Sequence, residues 1–324
     1  MKVAVIRGGR SSEHPVSLRS GAAVGEGLRA AGYETVDVVI EPDGRWLVGG
    51  AAGEEVDLRA AGGLLGCDVA FPVLHGPFGE DGTVQGLLEC LDVPYVGPGV
   101  LAAAVTIDKL IFKRLLRERG IAQVEFCQAG EEGWREQAEA LGLPVWVKPS
   151  RLGSSVGILK VGEPGGLQPA VDSALEHDPR VIIEAHCAGL EVECSVIGND
   201  EPETSLPGQV SIQADWYHYA AKYEPGGMEL IVPAPIGDET IARVRELAAE
   251  VYSSCGCTGL ARCDFFVMED GEVLVNELNT IPGFTETSVF AKLFEASGVA
   301  YPELCTKLVE LAVERHEAER SYRF

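Results

Sequence analysis

The chain has 324 residues, 46% of them hydrophobic and 23% charged, the balance of a folded globular protein and not of a disordered or fibrous one. Its 50 Asp and Glu against 26 Lys and Arg give a formal charge of −24, a surface that repels phosphate backbones and anionic lipid, so neither nucleic acid nor membrane is expected as a partner. An anionic nucleotide would have to be held by a few locally placed lysines.

Residues 2–7 read as a buried strand that Gly8-Gly9 breaks, followed by a helix from about Val16 to Ala31 that Gly32 stops, and a strand over Thr35–Ile40. That βαβ order predicts a parallel sheet with a right-handed crossover. Asp68–Leu74 is another strand, followed by a turn-rich loop from His75 to Gly82 and a helix to about Leu91. The first domain is expected to span 1–98, ending near Gly97-Pro98-Gly99. One helix is predicted from Leu101 to Arg119, capped by Gly120. It opens a central domain (99–185) in which strands Leu143–Lys148 and Val156–Val161 flank a Gly/Ser loop. A turn at Pro164–Gly166, a helix over Leu167–His177 and a strand over Arg180–Glu184 follow. The third domain (186–324) begins with larger β hairpins, holds a helix at Asp238–Cys255 and closes with one at Ala300–Arg315. No segment has a signal peptide's apolar core or the roughly 18 apolar residues of a membrane helix, so a cytoplasmic protein is expected. The nine cysteines are scattered, odd in number and without redox or zinc-finger spacing, the pattern of reduced thiols.

The stretch from Arg262 to Asn279 carries the most chemistry. Two β-rich runs flank Asp270-Gly271, a strong hairpin signal. A two-residue turn there sets Asp264 opposite Glu277 and Arg262 opposite Asn279, with all four on one face. Facing carboxylates destabilise a sheet unless something positive lies between them. Two carboxylates and an amide oxygen are hard ligands suited to Mg²⁺. Phe265, Val267, Val273 and Val275 are apolar, which makes the other face core and the acidic face a cleft wall. A solvated hairpin with incidental charges is the plainer alternative.

Lys148-Pro-Ser-Arg-Leu-Gly-Ser154-Ser155-Val-Gly157 lacks the GxxxxGK[ST] pattern of a P-loop and its following helix. It reads either as a flap whose backbone N–H groups and hydroxyls close over phosphates or as a plain polar turn. Lys148 stands at its mouth and Lys109 on the preceding helix. Glu184 and Glu191 flank the passage to the third domain, where they could accept from an adenine amino group and from ribose. Gly8-Gly9-Arg-Ser-Ser-Glu13 is not GxGxxG, yet it and the His75–Gly82 loop are turns at the carboxyl ends of parallel strands, where ligands bind.

Taken in chain order, GGRSSEHPVSLRSG (8–21), HGPFGEDGTVQG (75–86), KPSRLGSSVG (148–157), YAAKY (219–223), ARCDFFV (261–267) and NELNTIPGFTETS (276–288) resemble D-alanine–D-alanine ligases over nearly the whole chain. The resemblance implies an α/β, three-domain ATP-grasp fold. In it an N-terminal parallel-sheet domain joins two α+β domains that sandwich ATP. It further implies a homodimer acting with Mg²⁺ or Mn²⁺, two ions, on D-alanine in peptidoglycan precursor synthesis. One D-alanine carboxylate would attack the γ-phosphate to give an acyl phosphate, which the amine of a second D-alanine then opens.

Carried onto matching positions, the resemblance implies that Glu13 holds the first substrate's ammonium with His75 nearby. Lys109, Lys148 and Lys222 bind phosphates along with the Ser154-Ser155 flap, and Glu184 and Glu191 bind adenosine. Asp264, Glu277 and Asn279 take the metal. Arg262 and the Gly283 N–H stabilise the developing oxyanion. Ser288, with Lys222, holds the second carboxylate, and Glu13, Ser154 and Tyr223 lock the flap and the 206–228 loop over the site. The segment after Glu184 departs from the family, with Ala185-His186-Cys187 where a basic then an aromatic residue is expected, and Glu286 adds a carboxylate beside Ser288. The alternatives are a ligase using D-lactate or D-serine as second substrate, a nucleotide-binding regulator that has lost catalysis, and a dehydrogenase, against which the missing GxGxxG counts.

Overall fold

Three sheets follow one another along the chain in a computed structural model that describes residues 1–50, 52–153, 156–212 and 228–323. The first is built on the apolar run β1 (Lys2–Gly8), followed by helix α1 (His14–Ala30), β2 (Glu34–Ile40), the short edge strands β3 (Trp46–Val48) and β4 (Glu54–Glu55), and β5 (Val69–Pro72), then α2 (Thr83–Leu91). Its order is β4-β3-β2-β1-β5, with β1 parallel to both β2 and β5. Because β1 and β5 are parallel neighbours, the turns after them, 9–13 and 73–82, leave the same sheet edge side by side. Strands β3 and β4 escape a period-two reading because each is only a few residues long.

The expected single helix over Leu101–Arg119 is two: α3 (Val100–Ile107) and α4 (Lys109–Glu118). Asp108 between them is extended, with φ −88° and ψ 96°, and caps α4 by accepting from the N–H groups of Leu110 and Ile111. The apolar periodicity is continuous through this break, so it could not reveal it.

The second sheet is antiparallel, in the order β6-β9-β7-β8, and comprises β6 (Phe126–Gln128), β7 (Val145–Pro149), β8 (Leu159–Val161) and β9 (Val181–Ala185), with α5 (Trp134–Ala140) and α6 (Leu167–Leu175) beside it. Val145, Val147, Val181 and Ile183 enter its core, so the alternate residues Trp146, Lys148 and Glu184 share the other face. The third sheet is antiparallel too: β10 (Leu190–Gly198), β11 (Glu203–Thr204), β12 (Gly208–Ile212), β13 (Met228–Ile231), β14 (Gly259–Val267) and β15 (Val273–Asn279). Helix α7 (Asp238–Ser254) packs on it. Helices α8 (Val289–Ala296) and α9 (Tyr301–Arg320) return to the first sheet, where Phe290, Phe294, Leu304 and Leu308 share a core with Val3, Val5 and Phe71.

The β14–β15 hairpin reaches the expected pairing by a different route. Its loop has three residues, not two: Met268 N–H bonds the Glu272 carbonyl at 2.8 Å, and Gly271 takes the left-handed φ of +89°. The pairing near the loop is therefore shifted, with Phe265 opposite Val275 and Val267 opposite Val273. An irregularity after Asp264, where Asn276 is the unpaired extra residue, restores Asp264 opposite Glu277 and Arg262 opposite Asn279. Strict alternation would put Val273, Val275, Glu277 and Asn279 on one face. The bulge reverses the phase, so the two valines are buried in the core while Glu277 and Asn279 face the cleft.

Among the described residues no helix is long and apolar enough to cross a membrane. All nine cysteines are free thiols.

Candidate active site

The cleft lies where the three sheets meet. A cavity of about 30 Å³ there is lined by Glu80 from the first sheet's loop, Lys109 of α4, Gly153 of the flap, and Glu277 and Asn279 of β15. On the hairpin face Arg262 grips both oxygens of Asp264, at 2.7 Å each, and its Nε also lies 2.8 Å from Glu193 Oε2 on β10. Asn279 Nδ2 donates to Asp264 Oδ2 at 3.0 Å, and Lys109 Nζ approaches Glu277 Oε2 to 3.8 Å. The repulsion between Asp264 and Glu277 is thus offset by a guanidinium on one side and an ammonium on the other. Among the described residues no three His, Cys, Asp or Glu side chains are grouped for a metal ion. The donor set is two carboxylates and an amide, which fits a hard cation that completes its shell with phosphate oxygens and water.

Opposite the hairpin, Glu184 accepts from two lysines: Lys148 Nζ at 2.5 Å and Lys113 Nζ at 2.9 Å. Burial alone would raise the Glu184 carboxyl, but the two ammoniums outweigh it and hold it at about 2. Burial pulls Lys113 below the ordinary lysine range despite Glu184. Burial also acts to lower Lys148, but Glu184 outweighs it and the net shift is upward. Lys113 was not singled out from the sequence, although it lies one helical turn after Lys109 on the same α4 face. Trp146 was missed as well. It pairs across from Glu184, two residues before Lys148 on the same strand face, and its Nε1 donates to His186 Nδ1 at 3.2 Å. The Trp146 ring thus stands edge-on to His186, with Lys160 Nζ 5.2 Å from its centroid. Glu191 lies at the exposed start of β10, close enough for its charge to act on Lys148.

At the first sheet's edge Glu13 is buried, and a side chain at Gly76 would sit 2.7 Å from its Oε2, so that glycine keeps the approach open. Flap residue Gly153 borders the same carboxylate. His75 is buried, with Nδ1 2.9 Å from the Ile281 carbonyl and Nε2 3.3 Å from Ser20 Oγ. Its role here is to tie two loops. Glu80 helps: its carboxylate accepts from the N–H groups of Gly76 at 2.7 Å and Ile281 at 3.3 Å. Desolvation, with Glu13 adding to it, pushes Glu80 up to about 8. Gly283 follows in this docked loop. Ser288 opens α8, and its Oγ accepts from the Thr285 N–H at 2.9 Å, so the hydroxyl turns back toward Gly283. Ser154, Ser155, Lys222 and Tyr223 lie outside the described residues.

A parallel-sheet unit and two antiparallel sheets, meeting over paired lysines and facing carboxylates, define an ATP-grasp enzyme. The family model for the D-ala D-ala ligase C-terminus matches residues 115–310, and that for the N-terminus matches 2–63 and 54–98. The chain belongs to the D-alanine–D-alanine ligase family. It is 44% identical to the D-alanine–D-alanine ligase of Deinococcus radiodurans, covering 97% of this chain and 98% of that one. It is 40% identical to that of Geobacillus kaustophilus, covering 99% and 96%. Among solved structures, the D-alanine–D-alanine ligase from Coxiella burnetii aligns with a TM-score of 0.90 at 32% identity, over 99% of this chain and 96% of that chain. The VanG D-Ala:D-Ser ligase from Enterococcus faecalis aligns with 0.86 at 33%, over 96% and 99%.

Proposed function

We propose that the enzyme joins two D-alanines at the expense of ATP, in the cytoplasm and as a homodimer, to supply the dipeptide for peptidoglycan precursors. The observation that carries this reading is the face shared by Asp264, Glu277 and Asn279, with Lys109 reaching Glu277 from across the cleft. Lys109 and Lys148, with Lys222, hold the ATP phosphates under the Ser154-Ser155 flap. Glu184 and Glu191 receive the adenosine, and Trp146 offers the base an aromatic face. Asp264, Glu277 and Asn279 would hold Mg²⁺ or Mn²⁺, two ions, which when bound neutralise phosphate charge and polarise the transferring phosphoryl group.

Glu13 holds the first D-alanine's ammonium, and His75 keeps the surrounding loops docked. That leaves the carboxylate aimed at the γ-phosphate. Its oxygen forms the new P–O bond as ADP departs. Ser288 sits at the N-terminus of α8, whose dipole and amides favour an anion, and with Lys222 it receives the second carboxylate. The second amine, having lost a proton, attacks the acyl carbon, and phosphate leaves with the electron pair of the C–O bond. Arg262 and the Gly283 N–H stabilise the oxyanion formed on the way, while Glu13, Ser154 and Tyr223 hold the flap and the 206–228 loop closed.

ADP release with D-alanine, L-alanine, D-serine and D-lactate tests the reading. Turnover with D-alanine and little with L-alanine is expected. Faster ester or D-alanyl-D-serine formation would favour a ligase with another second substrate, and no ADP with any of them would overturn the proposal.

A further inference from the structure

Asp108, the break between α3 and α4, is buried, and three chain segments converge on it. Its Oδ1 accepts from the N–H groups of Leu110 at 3.2 Å and Ile111 at 3.3 Å and from Ser150 Oγ at 2.7 Å. Its Oδ2 pairs with Arg180. Ser150 is fully buried, and every polar atom it has is used: its N–H donates to the Arg180 carbonyl at 2.9 Å, its carbonyl accepts from Lys109 N–H at 3.0 Å, and its Oγ also accepts from Leu110 N–H. One carboxylate therefore ties the start of α4, which bears Lys109, to the end of β7, which bears Lys148, and to the root of β9, which bears Glu184.

Next to it the flap's first residues are fixed as well. Arg151 donates to Asp178 from its backbone N–H at 2.8 Å and from its guanidinium at 2.8 and 3.0 Å, and Lys109 Nζ donates to the Leu152 carbonyl at 2.8 Å. The segments that carry Lys109 and Lys148 thus radiate from one polar knot, and neither Asp108 nor Ser150 lines the cleft cavity.

We propose that Asp108 is a positioning residue for the nucleotide: it sets the separation of Lys109 and Lys148. The inference rests on the phosphate role assigned above to those lysines. The spacing of two cations matters because charge-assisted bonds to a polyphosphate depend on both reaching it at once.

Asp108→Asn tests it, because Asn can still cap α4 but loses the charge that holds Arg180. With the whole enzyme, the KM for ATP should rise about tenfold, kcat should fall by less than threefold, and the KM for D-alanine should stay within twofold. Titration with ATP and with adenosine should show weakened ATP binding and little change for adenosine. Ser150→Ala, which removes one arm of the knot, should move ATP binding in the same direction. Lys109→Ala is run alongside. If it weakens ATP binding while Asp108→Asn and Ser150→Ala do not, the positioning role is overturned and the lysine assignment stands. If Lys109→Ala leaves ATP binding untouched, the assignment beneath the proposal fails. A lower melting temperature for Asp108→Asn with an unchanged ATP KM would make Asp108 a purely structural cap and sink the proposal.

Discussion

His75 Nδ1 lies 2.9 Å from the carbonyl oxygen of Ile281, 206 residues further along the chain. A carbonyl can only accept, so Nδ1 carries a proton, and in the neutral ring Nε2 accepts from the Ser20 hydroxyl. Burial holds this histidine below the usual range, against the pull of Glu13. His75→Ala removes the tie that docks the loop bearing Gly283 and Ser288, and leaves a carbonyl without its donor. A lost hydrogen bond is worth about 0.5–1.5 kcal/mol, so kcat/KM for D-alanine should fall roughly tenfold. Steady-state kinetics with D-alanine varied checks this, and an unchanged kcat/KM would mean the loop is held elsewhere. The sign of the pH effect also follows. The unfolded imidazole takes up a proton near 6.5 that the folded one refuses, so this contribution is present above that pH and is lost as pH falls.

The bulge at Asn276 makes a prediction that a flat hairpin would not. Deleting Asn276 sets Val275 next to Glu277, so the shortened strand alternates regularly and still turns both valines to the core and Glu277 and Asn279 to the cleft. The variant should therefore fold and keep measurable ADP release. Thermal melting and ADP release measure both. Loss of activity with the fold intact would show that the bulge itself aims the two cleft side chains.

Glu277→Gln separates chemistry from fold. It removes one of two facing carboxylates and keeps the shape, at the cost of a Lys109 contact of 3.8 Å on a half-buried side chain. Without added metal the melting temperature should stay the same or rise. Turnover should fall at least a hundredfold, in keeping with the several kcal/mol a metal contributes to the transition state. Activity retained together with a large drop in melting temperature would make Glu277 structural.

Lys113→Met tests the buried pair behind the cleft. Removing one partner of a buried pair costs about 3–5 kcal/mol. Glu184 has its folded value near 2 and its ordinary value at 4.5, so in the wild type its stabilisation is present above 4.5 and lost as pH falls toward 2. In the variant, with only Lys148 left, the carboxyl should protonate more readily. The gap in stability between wild type and variant should therefore be widest near pH 7 and narrow by pH 4. Urea denaturation at both values reads it. An equal gap at both would mean that Lys113 contributes packing and not charge.

The sequence alone carried the βαβ start, the motif order, the acidic hairpin and its facing pair Asp264 and Glu277, because these are local patterns or matches along the chain. It also drew one helix where there are two, since an apolar stripe runs through Asp108, while in the fold that residue caps α4 and its carboxylate is met by Ser150 and Arg180. It reached the hairpin pairing through a two-residue turn, whereas a three-residue loop and a bulge cancel to the same result. A bulge is chosen by what the partner strand and core accept, which no alternation pattern records. Lys113, Trp146, Glu80 and Ile281 stayed unread for a related reason. Each is ordinary by itself, and each becomes part of the site only when a distant partner is brought to it, Glu184 to Lys113 and Trp146, Ile281 to Glu80, and His75 to Ile281, across a distance in sequence that only the closed core of the folded chain spans.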